Sequence, residues 1–79
     1  MNLKIKAFGI SKDIVGGKEI VFHASGQTVT DLRSELTLKF PGLLNLNSLF
    51  IAVNNSYTEE DFVLKESDEI ALIPPVSGG

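Results

Sequence analysis

The sequence predicts an α+β domain, a small mixed sheet with one main helix packed on one of its faces. Three observations predict it. Short apolar segments alternate with period two, one central stretch carries an apolar stripe at helical spacing, and breaker residues separate the segments. With 79 residues, 43% hydrophobic and 22% charged, the composition suits one folded domain and leaves no room for a second core.

Leu3, Ile5 and Ala7 alternate with Lys4, Lys6 and Phe8, the pattern of a half-buried first strand. Residues 9–17, GISKDIVGG, read as a connection rich in breakers. KEIVFH, residues 18–23, reads as a second strand with Ile20 and Phe22 on one face and Val21 on the other. The two strands suggest a hairpin whose loop is longer than the tightest type.

TVTDLRSELTLKFPG, residues 28–42, predicts the helix. Val29, Leu32, Leu36 and Phe40 line one stripe, while Asp31, Arg33, Glu35 and Lys39 lie off it. Thr28 and Asp31 form a capping pair at its start, and Pro41-Gly42 stop it. A third strand is expected over about residues 49–53, closed by the turn formers Asn54 and Asn55. FVLK, residues 62–65, reads as a short extended piece, followed by a turn at Ser67-Asp68. In the last strand Ile70 and Leu72 face one way and Ala71 and Ile73 the other, which predicts a central strand covered on both sides.

The order β, β, α, β, short β, β fits a β-grasp roll, in which the final strand lies beside the first. Ferredoxin-like halves use similar pieces. The domain is expected to span residues 1–73, with residues 74–79 as a flexible tail.

Side-chain chemistry is narrowly bounded. The chain has no cysteine, which excludes disulfides, thiolate metal sites and Cys nucleophiles. His23 is the single histidine and has no partner nearby in sequence, so it reads as an ordinary strand-end residue. GGKE at residues 16–19 lacks the upstream Gly and the following Ser/Thr of a phosphate loop. Glu59, Glu60 and Asp61 are consecutive, so they point in different directions and read as a solvated loop. No metal site is expected.

Charge is unevenly placed within a net of −3. Residues 1–40 carry +2 from six basic against four acidic residues, and residues 41–79 carry −5 from Lys65 against six acids. A polarised, net-acidic surface argues against nucleic acid and suits docking on a basic protein surface, the competing reading being a solubilising acidic loop. The first residues read as a strand and not as a signal peptide, and no apolar run approaches the ~20 residues that span a bilayer. A soluble cytoplasmic protein is expected, with no membrane or nucleic-acid partner.

The tail is the remaining candidate. Pro74 and Pro75 fix φ and favour an extended path out of the last strand. Val76, Ser77, Gly78 and Gly79 extend about 13 Å further at ~3.3 Å per residue. Glycines lack a Cβ and can pass down a narrow channel. An ionised α-carboxylate at Gly79 becomes electrophilic only after activation. Stiff base, thin tip and reactive terminus together describe a swinging carrier; the competing reading is a frayed end.

SDEIALIPPVSGG, residues 67–79, resembles the C-terminus of the MoaD/ThiS family of sulfur carriers, whose members include the small subunit of molybdopterin synthase. The resemblance covers the whole chain. KDIVG at residues 12–16 is similar to the family's Arg-Glu-Leu-x-Gly stretch, TVTDLRSEL to its helix start, and IAVNNSY to its AVN strand with Asn54. The proline pair, a small residue and Gly-Gly form the most specific element. Lys12-Asp13 replace the commoner Arg-Glu, and Ser67 replaces the usual Gly before Asp68.

The resemblance implies a ubiquitin-like β-grasp fold and no bound cofactor. It implies that an E1-like adenylating enzyme consumes ATP to activate Gly79, and that a sulfur donor protein then converts it to a thiocarboxylate, a C-terminal 1-thioglycine. The loaded tail enters the large subunit of molybdopterin synthase and gives its sulfur to cyclic pyranopterin monophosphate, within a heterotetramer. On this basis Gly79 carries the acyl group and Gly78 supplies slimness. Pro74, Pro75, Val76 and Ser77 aim the tail and meet the partner, and the acidic half steers docking. Phe8 and Ile73 are candidates for an apolar docking patch or for the core. The small subunit is not expected to be catalytic alone. The rival readings are a thiamine-pathway sulfur carrier, a ubiquitin-like protein modifier joined through Gly79 to lysine, and a passive interaction domain.

Overall fold

The strands assemble into one five-stranded sheet in the order β2-β1-β5-β3-β4. The computed structural model describes residues 1–75. β1 is Asn2–Ala7, β2 Glu19–His23, β3 Phe50–Val53, β4 Ser56–Tyr57 and β5 Glu69–Ile73. β1 runs antiparallel to β2 and parallel to β5, and β3 runs antiparallel to both β5 and β4. The last strand therefore lies beside the first at the centre of a mixed sheet. This is the β-grasp arrangement.

Two helices connect the strands, α1 at Ile10–Val15 and α2 at Val29–Lys39, the latter followed by a 3-10 turn at Pro41–Asn45. α1 occupies the stretch expected to be a breaker-rich connection. Its glycines bound the helix instead of breaking it: Gly9 is the N-cap, and Gly16 closes it at φ 91° in the left-handed region. Ser11 and Val15, one turn apart, are both buried, and the Ser11 hydroxyl donates to the Phe8 carbonyl at 2.5 Å. Burial and that satisfied hydroxyl hold a helix too short to stand on propensity alone.

A second correction concerns the short strand. The predicted extended piece at residues 62–65 contributes only an isolated bridge, Val63 to Thr28, and the short strand is β4. Asn54 and Asn55 have φ of 52° and 67°, the positive pair of a tight hairpin turn, and Asn tolerates this better than most residues.

α2 starts as its sequence predicts. The Thr28 hydroxyl accepts from Asp31 N–H at 3.1 Å, and the Asp31 carboxylate accepts from the N–H groups of Thr28 and Gln27 at 3.2 and 3.1 Å. These backbone donors hold the Asp31 carboxyl below its ordinary value of 3.8. A depressed folded pKa stabilises the fold above the unfolded value, and that stabilisation is lost as pH falls through the folded value. Asp31→Asn is therefore expected to flatten the acid limb of the stability curve below about pH 4, measured by urea midpoints across pH. Two side chains tie loops to this helix. Glu35 accepts from the Ser25 and Gly26 N–H groups at 2.7 and 2.8 Å, and Arg33 donates to the Leu49 carbonyl at 2.6 Å while pairing with Glu60.

Val29, Leu32 and Leu36 from α2 pack on Leu3, Ile5, Phe22, Ile51, Val53, Ile70 and Leu72 from one face of the sheet. Phe40, expected to continue the helical stripe, is the residue that caps the helix and is only half-buried, packing at the core's edge. Ile70 is fully buried in the central strand. Ile70→Ala is expected to cost about 2–5 kcal/mol, against a total of about 4–12 kcal/mol for a domain this size, measured by the urea midpoint.

Candidate functional site

Among the described residues only one face of the sheet carries a helix layer, so there β5 is covered on one side and not on two. On the other face, side chains alternate with the core positions: Lys6 on β1, Ala71 and Ile73 on β5, Phe50 and Ala52 on β3, and Tyr57 on β4. The register sets Lys6, Ala71, Ala52 and Tyr57 in one row across four strands, and pairs Phe50 with Ile73 at the next position. Phe8 continues this face just beyond β1, with its N–H donating to the Leu72 carbonyl at 3.3 Å.

The result is an apolar surface that the fold leaves open. Phe8, Phe50 and Tyr57 are 49%, 53% and 69% exposed, which places them outside the core. The Phe50 and Tyr57 rings lie 5.4 Å apart and tilted at 53°, a favourable aromatic geometry. A shallow cavity of about 300 Å³ opens between Phe8, Tyr57, Ala71 and Ile73. Of the two residues offered by sequence as docking patch or core, Phe8 is exposed, Ile73 is half-buried on this open face, and neither joins the core.

The parallel pairing of β1 with β5 brings Phe8 and Ile73 to the same end of the sheet. That end is also where Pro74 and Pro75 leave β5. Pro74 lies against Gly9: a Cβ added there would sit 3.1 Å from Pro74 Cγ. Gly9 also has φ 55° and ψ −137°, a conformation reserved for glycine. Gly9→Ala is thus expected to displace the base of the tail and to destabilise the fold by about 1–3 kcal/mol. The expected signature is amide shift changes centred on Phe8, Leu72 and Ile73. Val76, Ser77, Gly78 and Gly79 lie outside the described residues.

A polar clasp fixes the other edge of this surface. Asp68 is buried and accepts from Asn54 Nδ2 at 2.9 Å and from the Lys65 N–H at 2.8 Å. Asn54 Oδ1 accepts from the Glu69 N–H at 2.9 Å, and the Asn54 N–H donates to the Glu69 carbonyl at 2.8 Å. Three of these bonds join Asn54, in the β3–β4 turn, to the start of β5, and the fourth closes the turn at residues 65–68.

Phe50 and Tyr57 are members of this surface that sequence reading missed. The signal was present, because a two-residue Asn-Asn turn places Tyr57 opposite Ala52 without further assumption. His23 is exposed at the strand end, with Nδ1 and Asn2 Oδ1 2.8 Å apart. Glu59 and Asp61 are exposed, and Glu60 pairs with Arg33. Among the described residues no group of three or more His, Cys, Asp or Glu could hold a metal ion, and no helix is long and apolar enough to cross a membrane. An apolar face beside a chain exit suits macromolecular docking and offers no set of catalytic side chains.

Comparison with known proteins gives this geometry a context. The ThiS family model matches residues 5–79. Over its whole length the chain is 33% identical to a molybdopterin synthase sulfur carrier subunit of Arabidopsis thaliana, covering 84% of that protein. Among solved structures, small archaeal modifier protein 1 from Methanosarcina acetivorans is 30% identical with a TM-score of 0.79, covering 99% of this chain and 96% of that one. Subunits 1 and 2 of the molybdopterin-converting factor from Helicobacter pylori were solved as a protein–protein complex. One chain of it is 26% identical with a TM-score of 0.68, and all of both chains is covered.

Proposed function

Because the chain belongs to the ThiS family, we propose that it is the sulfur-carrier small subunit of a molybdopterin synthase. The observation that carries this is the full-length similarity to a relative of that name. The open apolar face beside the tail's exit supports it, since a carrier must dock and insert its tip in one event.

In this proposal Gly79 is the working residue. Its carboxylate oxygen attacks the α-phosphorus of ATP on an E1-like adenylating enzyme, and pyrophosphate leaves. The outer sulfur of a donor-protein persulfide attacks the acyl carbon and AMP leaves; a thiol then reduces the resulting acyl disulfide, which frees the thiocarboxylate and leaves a disulfide behind. That sulfur then attacks a side-chain carbon of cyclic pyranopterin monophosphate in the large subunit and displaces an oxygen substituent; water hydrolyses the resulting thioester, so sulfur stays on the pterin and Gly79 returns as a carboxylate. This chain contributes carriage and aim: Gly78 is slim enough for a narrow channel, Pro74 and Pro75 set the direction, and Phe8 and Ile73 dock at the channel mouth. Val76 and Ser77 complete the segment that meets the partner. In this reading the subunit is not catalytic alone, and the cytoplasm is where its partners are proposed to meet it.

The test is reconstitution. The thiocarboxylated chain, mixed with the large subunit and the pterin substrate, is expected to form a complex and to convert substrate stoichiometrically with sulfur supplied. Complex formation without conversion would reject the assignment. A second reading, a protein modifier, is favoured by the likeness to small archaeal modifier protein 1. It predicts isopeptide conjugates of this chain to lysines in cell extract.

A further inference from the structure

A second cavity, of about 340 Å³, lies next to the tail's base and is lined by Lys6, Lys12 and Lys18 above a floor of Ala7, Phe8 and Gly9. Glu19 is its one carboxylate. Three cations converge here on a chain whose net charge is −3. Lys6 reaches Glu69 only at 3.9 Å with both side chains half-exposed or more, an interaction worth little in water. Among the described residues neither Lys12 nor Lys18 is in an ion pair.

We propose that this lysine-rimmed groove docks an acidic segment of the large subunit, alongside the apolar face that receives the rest of it. The inference rests on the sulfur-carrier reading and assigns that partner a chemistry. Two observations set the position. Phe8 and Lys6 line both this groove and the open-face cavity, so the two surfaces are continuous. Gly9, on the groove floor, touches Pro74, so whatever fills the groove sits beside the root of the tail.

The chemistry of the groove favours a peptide over a phosphorylated small molecule. A phosphate site is commonly built from free backbone N–H groups or a forked guanidinium. Here the floor is apolar, and two of its three N–H groups are already used: Ala7 N–H donates to the Lys18 carbonyl at 2.9 Å and Phe8 N–H to Leu72. The glycines after α1 donate to the Lys12 carbonyl, both at 3.0 Å. Lysine ammoniums on long apolar stems above an apolar floor match carboxylates interspersed with apolar side chains. The backbone beneath Lys12 and Lys18 is thus fixed, while their side chains stay free to meet a partner.

This arrangement gives docking an orientation. The groove is basic, whereas Glu59 and Asp61, which follow β4 at the opposite edge of the sheet, are exposed acids. Charges of opposite sign at the two sides of an apolar patch admit one way round, and only that way points the tail into the partner. Rim charges act mainly on the rate of encounter.

The experiment is stopped-flow association of the full chain with the large subunit at several salt concentrations. Wild type is compared with Lys12→Glu, Lys18→Glu and Lys65→Glu, which make the same change in net charge. Lys65 is exposed and lies outside the groove. The groove variants are expected to associate about tenfold more slowly at low salt and to converge on wild type as salt rises. Lys65→Glu is expected to change the rate less than about twofold. Equal slowing by all three, or by none, would overturn the groove while leaving the carrier reading standing. Wild type that fails to bind the large subunit would overturn both. In a parallel NMR titration of the free chain with inorganic triphosphate, saturable shifts at groove residues would overturn the peptide assignment, and their absence supports it.

Discussion

Deleting Gly79 is expected to leave a folded domain that carries no sulfur to product. The core depends on residues that end with Leu72 in β5, so the urea midpoint should match the full chain. The chemistry should not survive. A tail ending at Gly78 still has a carboxylate, but it falls short by about 3.3 Å, one extended residue. Misplacement by about 1 Å is enough to lower a positioned reaction about a hundredfold, so loss by at least that factor is expected both at activation and at transfer. Single-turnover conversion of the pterin by the large subunit measures it. Restoration of activity on adding Gly79 back, with no change in stability, separates reach from folding.

Phe8→Asp is the second large effect, and it falls on docking. Phe8 is half-exposed, outside the core, and shared by the apolar face and the lysine groove. Placing a carboxylate there replaces an aromatic anchor by a charge that a docked interface would have to desolvate. A central anchor is worth about 2–4 kcal/mol, which weakens the affinity for the large subunit by roughly 30- to 1000-fold. Folding stability should shift by less than about 0.5 kcal/mol, as for other exposed positions. Calorimetric titration against the large subunit reports the first quantity and a urea titration the second. Unchanged affinity would place the docking surface elsewhere on the domain.

Four of the five strands, the long helix and its cap were legible because each follows from local chemistry. Leu3, Ile5 and Ala7 alternate, Thr28 and Asp31 satisfy each other, and Asn54-Asn55 accept positive φ. What stayed hidden depended on contacts distant in sequence or on very short elements. α1 spans six residues between glycines, and burial of Ser11 and Val15 holds it where propensity would not. The run Ile51, Ala52, Val53 is buried throughout, so nothing in it signalled that Ala52 faces the open side. The surface formed by Phe8, Phe50, Tyr57 and Ile73 draws on four elements or their ends, and only the register assembles it. The Lys6, Lys12 and Lys18 groove is dispersed in the same way, since the three residues meet through the β1–α1–β2 connection. The proposed working group, the Gly79 carboxylate, was legible through resemblance, because the proposal places the chemistry on the chain terminus and not on a side chain.

The most direct measurement is mass spectrometry of the intact chain and of its C-terminal peptide after incubation with the E1-like adenylating enzyme, ATP and a sulfur source. Sulfur carriage by Gly79 predicts a mass gain equal to exchanging one oxygen for sulfur, confined to the peptide that ends in Gly79 and absent from the chain lacking it. An unchanged C-terminal peptide, while a known carrier is converted in the same mixture, would contradict it.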